Sequence, residues 1–174
     1  MAHAQKKCRE NSNLHSPQSE NWSKWKTAMV PLPDDRTNTV NRDQNQVGFI
    51  WKYMLNDGNL PELCGIYEWR AIRQDEPNRV VYVGSTCTRC GHYEPLQSTI
   101  LVYCSHGNHK ETQWNDALTK GYTLEVRYNL QAWNEPKARK LENDLLDMYD
   151  YAWNERRNGG KLGVRLLPNC HAVI

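Results

Sequence analysis

Two runs of β-forming residues, Cys64 to Ile72 and Arg79 to Gly84, flank the polar turn Asp75-Glu76-Pro77-Asn78. Period-two patterning on both sides of a turn reads as a β-hairpin, and this constrains the fold more than anything else in the chain. Downstream of a cysteine- and histidine-bearing, helix-like region, Thr112 to Lys120 has helical character and Tyr122 to Leu130 reads as a third strand. Pro136 then opens a helix in its first turn, running to about Tyr151 and followed by Asn158-Gly159-Gly160. The order β-β-α-α-β-α predicts an α/β (α+β) domain: a small sheet of about three strands flanked by helices.

The 174 residues accommodate one such domain plus an extension. Residues 1–20 are polar without apolar periodicity and read as a disordered arm. Over 21–61 a helical extension is expected. Trp22, Trp25, Ala28 and Met29 recur at helical spacing before Pro31-Leu32-Pro33, and Val47, Ile50, Trp51, Met54 and Leu55 repeat the pattern. The main domain is placed at 62–174, ending in a basic tail. Net charge is only +2, so no global basic field announces a nucleic-acid partner. No apolar run approaches the ~20 residues of a membrane span, and the N-terminus has no apolar leader core. The expectation is a soluble intracellular protein, nuclear if eukaryotic and cytoplasmic if bacterial. In that setting the six cysteines read as thiols or metal ligands rather than as a disulfide framework.

The last helix singles out one carboxylate. At 100° per residue, Ala138, Leu141, Leu145, Leu146, Met148, Tyr149 and Ala152 share one arc, and Glu142 falls inside it. Arg139, Lys140, Asn143, Asp144, Asp147 and Asp150 lie outside. A carboxylate on an apolar face is costly to bury unless it is paired, protonated or metal-bound. Glu142 is therefore either functional, partly exposed at the edge of the stripe, or satisfied by a buried Arg.

Gly65-Ile66-Tyr67 on the first hairpin strand and Tyr82-Val83-Gly84 on the second resemble the paired motifs that name the GIY-YIG nuclease family. Arg89 and Tyr93, four apart, match the Arg-x-x-x-His/Tyr pair of its restriction-type members, and Asn154 stands twelve residues after Glu142, where such enzymes also place an Asn. The run Leu145 to Asn154, with Asn158-Gly159, is similar to the plant effector of transcription branch. The resemblance covers roughly residues 62–160. It implies a metal-dependent endonuclease acting on DNA, with double-stranded DNA as partner. Glu142 would hold one Mg²⁺ or Mn²⁺, because one carboxylate oxygen plus waters suits hard cations better than zinc. Arg89 would stabilise the transition state, Tyr67 would take or relay the proton of the attacking water, and Tyr82 would hydrogen-bond beside it. Tyr93 and Asn154 would orient the others. The stretch from Tyr82 to Arg89 is shorter than the family's usual spacing, so His92 is the reserve cation. A phenol is a poor base at neutral pH, and nearby positive charge would have to lower its pKa. Restriction-type behaviour would also imply a homodimer or a second DNA contact.

A second constellation, Cys87-x2-Cys90 with Cys104-x-His106-x2-His109, has the spacing of a structural zinc site. The alternative is core thiols with surface histidines. After Glu155 the chain contains Arg156, Arg157, Lys161 and Arg165 without an acidic residue, a stretch suited to phosphate contacts or simply to solvation. The rival function is a non-catalytic DNA-binding regulator on the same scaffold, zinc-stabilised or not.

Overall fold

The computed structural model describes residues 7–8, 21–31, 51–55, 58, 60–74, 76–86, 94–106, 108–130 and 135–154. Their strands are β1 (Lys7–Cys8), β2 (Lys26–Pro31), β3 (Trp51–Tyr53), β4 (Gly65–Ile72), β5 (Arg79–Thr86), β6 (Thr123–Asn129) and β7 (Tyr149–Asp150). The helices are α1 (Leu96–His106), α2 (Glu111–Thr119) and α3 (Glu135–Met148), with a 3-10 turn at Asn108–Lys110. Five strands form one antiparallel sheet in the order β3-β2-β6-β4-β5, and β1 pairs in parallel with β7.

Strand alternation divides the core into two layers. From β4, Tyr67, Trp69 and Ala71 point into a cluster completed by Leu96, Ile100, Tyr103 and Cys104 of α1 and Trp114, Ala117 and Leu118 of α2. Ile66 points the other way, into a second cluster with Val80, Val83 and with Ala138, Leu145 and Leu146 of α3. The apolar positions of α1 recur at i, i+4, i+7 and i+8, one stripe facing the sheet. Two of its orphan N-terminal amides are satisfied by the chain entering β4: Leu96 N donates to Leu63 O at 2.9 Å and Gln97 N to Pro61 O at 3.2 Å. At the end of α2, Gly121 takes φ +80°, and Tyr122 N returns to Ala117 O at 3.0 Å.

The layer under α3 is partly ionic. Glu68 and Arg127, directly opposite each other on β4 and β6, are 0% and 3% exposed. Arg127 Nε donates to Glu68 Oε2 at 2.8 Å, and Tyr151 Oη donates to Glu68 Oε1 at 2.6 Å. The Arg127 guanidinium lies 4.6 Å from the ring centres of both Trp22 and Trp25, while Arg70 pairs with Glu125 and lies 4.5 Å from Trp25. Those two tryptophans dock the N-terminal segment onto the domain.

The central hairpin, the third strand, both middle helices and the last helix lie where the sequence placed them, and the α/β class holds. The helical extension does not. Residues 26–31 form β2 beside β6 and residues 51–53 form β3, so the sheet has five strands rather than about three. The helical spacing of Trp22, Trp25, Ala28 and Met29 has a local cause: the β2/β6 register shifts between Thr27 and Met29, and this irregularity leaves the consecutive Ala28 and Met29 both fully buried in one cluster. From the second expected helix, residues 47–50 lie outside the described residues. Trp51–Tyr53 instead completes backbone pairing with β2, which overrides a weak helical pattern. The last helix ends at Met148 rather than near Tyr151, because Tyr149–Asp150 pairs with Lys7–Cys8. Those two residues of the expected arm are thereby attached to the domain.

Candidate active site

Tyr67 and Tyr82 stand on adjacent strands with Gly84 directly opposite Tyr67, so the two rings are diagonal neighbours on one face of the sheet. Tyr103 reaches the same point from α1. The three ring centres form a nearly equilateral triangle with sides of 6.2, 5.9 and 6.0 Å. Tyr67 Oη donates to Tyr103 Oη at 3.4 Å, and the hydroxyls of Tyr103 and Tyr82 are 3.2 Å apart. The Trp114 ring stacks on Tyr103 with centres 5.5 Å apart and closes the cluster from below.

Both motif glycines are places where another group comes too close for a side chain. A Cβ on Gly84 would lie 2.6 Å from Tyr67 Oη and 2.7 Å from its Cζ. One on Gly65 would lie 2.8 Å from both Asn129 O and Leu96 Cδ1. Gly84 is thus the floor on which the Tyr67 hydroxyl rests. Gly84→Ala is expected to cost roughly 1–3 kcal/mol and to displace that hydroxyl. Thermal unfolding of Gly84→Ala in native and Tyr67→Leu backgrounds checks it; an equal penalty in both would mean that the clash is not with Tyr67.

Glu142 comes from α3 on the other side of β5. It is half-buried, and the Ser85 hydroxyl donates to its Oε2. Ser85 follows Gly84 directly, so the carboxylate is fastened one residue from the floor of Tyr67. Its negative charge raises the pKa of Tyr67, Tyr82 and Tyr103. Burial is the larger cause for all three, followed for Tyr67 by Tyr82 and Tyr103 and for Tyr82 by Tyr103. Burial and these neighbours hold Tyr67 and Tyr82 well above the ordinary tyrosine value.

Asn154 is 8% exposed, and its amide grips one residue of β5. Val83 N donates to its Oδ1 at 3.0 Å, and its Nδ2 donates to Val83 O at 2.8 Å. Trp153 N adds a bond to Val81 O at 2.8 Å. β5 is the last of the described strands of the sheet, and Asn154 covers the outer edge of the Tyr82-Val83-Gly84 motif.

Three contributors escaped the sequence reading. Tyr103 sits in the apolar stripe of α1, a polar group at a core position, which is the signal that exposed Glu142. Lys110 is 3% exposed, with Nζ 5.5 Å from the centre of the Tyr82 ring. Ser85, the fastener of Glu142, had no sequence signal.

The zinc constellation is only partly within the described residues. Cys104 is a core thiol, pushed up to about 12 by burial, and the His109 ring is within hydrogen-bond distance of Tyr82 and Tyr103. Among the described residues no group of three or more His, Cys, Asp or Glu is placed to hold a metal ion. Cys87, Arg89, Cys90, His92, Tyr93, Arg156, Arg157, Lys161, Arg165 and the His106 side chain lie outside the described residues. No helix among the described residues is long and apolar enough to cross a membrane.

A sequence model of GIY-YIG domain-containing proteins matches residues 22–165, a span that begins ahead of β2 and so includes the strand the hairpin pattern missed. No curated protein and no solved structure matches the chain.

Proposed function

This chain belongs to the GIY-YIG domain family, and from that premise we propose that it is an endonuclease hydrolysing phosphodiester bonds of double-stranded DNA with one divalent cation. The observation that carries the reading is the meeting of three hydrogen-bonded phenols with a fastened carboxylate at one motif glycine.

A phosphodiester in hydrolysis gathers negative charge on its non-bridging oxygens and on the departing 3′ oxygen. Glu142 fits a hard cation that takes one oxygen from the protein and the rest from phosphate and water, and among the described residues no cluster of three or more ligands surrounds it. Bound there, Mg²⁺ or Mn²⁺ would supply Lewis acidity at the phosphate. Ser85 holds the carboxylate still. Tyr67, as a protonated phenol, donates its single O–H to Tyr103 and leaves its oxygen free to accept from the attacking water. Tyr82 completes that ring of hydroxyls. Arg89 remains the proposed guanidinium for the transition state, and Arg156, Arg157, Lys161 and Arg165 the proposed phosphate contacts of the tail.

Supercoiled plasmid incubated with the protein is expected to convert to nicked or linear form with Mg²⁺ or Mn²⁺ and to remain supercoiled with EDTA. Cleavage that persists unchanged in EDTA would refute the metal-dependent reading, and no cleavage with either ion would refute the nuclease reading itself.

A further inference from the structure

The proposed hydrolysis leaves one proton without a destination. The attacking water must lose it, yet each phenol of the site is buried, where a lasting phenolate is costly, so none is its final acceptor. Tyr67 and Tyr103 are almost wholly buried. His109, in the 3-10 turn between α1 and α2, is by contrast exposed, and its ring reaches into the phenol triangle. His109 Nε2 lies 3.2 Å from Tyr82 Oη and 3.4 Å from Tyr103 Oη. The ring also meets both tyrosines edge-on, with centres 6.0 Å from Tyr82 and 5.6 Å from Tyr103.

We propose that His109 is the proton acceptor of this site, drawing the proton of the attacking water through the hydroxyls of Tyr67 and Tyr103 and releasing it to solvent. This rests on the nuclease reading above. The water oxygen bonds to phosphorus while its proton passes to the Tyr67 oxygen. Tyr67 gives its own proton to Tyr103, and Tyr103 gives its own to Nε2, directly or through Tyr82. The bond from phosphorus to the 3′ oxygen breaks, and that oxygen takes a proton from solvent. The imidazolium then discharges to bulk water, and no phenolate has to persist.

Imidazole suits the task because it is the side chain whose ordinary ionisation falls between pH 5 and 8. Among the described residues, the titratable groups nearest His109 on the elements around it include Tyr82 of β5, Tyr103 and Cys104 of α1, Lys110 beside it and Glu111 at the start of α2, with Glu142 acting on the phenols. The sign is fixed: as pH falls, the ring protonates and stops accepting, so nicking by the native protein should decline on the acid side of neutrality.

The test compares pH profiles of plasmid nicking in Mg²⁺ for the native chain, His109→Ala, Tyr103→Phe and the double variant, with near-UV circular dichroism to confirm that the aromatic cluster is intact. His109→Ala should lose about a hundredfold or more, should lose the acid limb, and should recover partly with added imidazole. Tyr103→Phe removes the central oxygen of the relay and keeps the ring, so it should fall by a similar factor, and the double variant should be no worse than either. A native-like acid limb in His109→Ala, native rates in Tyr103→Phe, or multiplicative losses in the double variant would each overturn the assignment while leaving the nuclease reading standing. Absence of cleavage by the native protein would instead remove both.

Discussion

Glu142→Gln should abolish most plasmid nicking, about a thousandfold or ~4 kcal/mol of barrier, while leaving the fold unchanged. The amide has the shape of the carboxylate, and its oxygen can still accept from Ser85, so little packing is lost. What disappears is the charge. It is fastened to β5 through Ser85 within electrostatic reach of the phenols, and its position on α3 puts it half out of water, where a charge interacts more strongly than at a fully solvated surface. A spectroscopic readout separates this from a merely structural effect. Glu142 contributes to raising Tyr67, Tyr82 and Tyr103, so removing its charge should move their ionisation downward in an ultraviolet pH titration. The movement should be small, because burial is the larger cause. Full nicking by Glu142→Gln would remove the carboxylate from the mechanism, and an unmoved tyrosine titration would show that it does not act on the phenols.

The wheel argument found the buried stripe of α3 and took the N-terminal segment for a helix, and both outcomes have one explanation. Along α3 the apolar stripe extends over three turns, long enough for a 3.6-residue period to be distinguished from chance. Along 22–29 only four apolar residues were available, and the register shift in β2 put two of them side by side, which imitates a helix. The motif glycines were legible as a pair of tripeptides, but their purpose was not. That Gly84 makes room for a hydroxyl two strand positions from Tyr82 in the partner register is a tertiary fact. The same holds for Tyr103 and His109. They lie 36 and 42 residues beyond Tyr67, and Tyr103 reaches Tyr67 and His109 reaches Tyr82 because α1 and the following turn fold back over the hairpin. A second carboxylate, Glu68, went unremarked in the sequence although it lies in the middle of a strand whose other charged residue is Arg70.

Arg127→Ala tests what that residue is for. Glu68 is fully buried, and in the native protein its two oxygens are satisfied from two directions, by Arg127 and by Tyr151. Deleting the guanidinium leaves a carboxylate with no exposure to water, deprived of its charged partner but still bonded by Tyr151, and an empty space between Trp22 and Trp25. Removing one partner of such a pair costs about 3–5 kcal/mol, a large share of the stability of a domain this size. Urea unfolding should show that loss as a shift of midpoint. The double variant Glu68→Leu, Arg127→Met should recover much of it, since the penalty comes from the stranded charge more than from the lost attraction. Arg127 stands opposite Glu68, one residue from Tyr67 along β4 but on the α3 side of the sheet. At temperatures where the variant stays folded, nicking should therefore remain near native. A loss below 1 kcal/mol would mean that water reaches Glu68. A collapse of nicking without a collapse of stability would mean that the ionic layer under α3 shapes the tyrosine face, and that the sheet transmits what its two clusters were taken to keep apart.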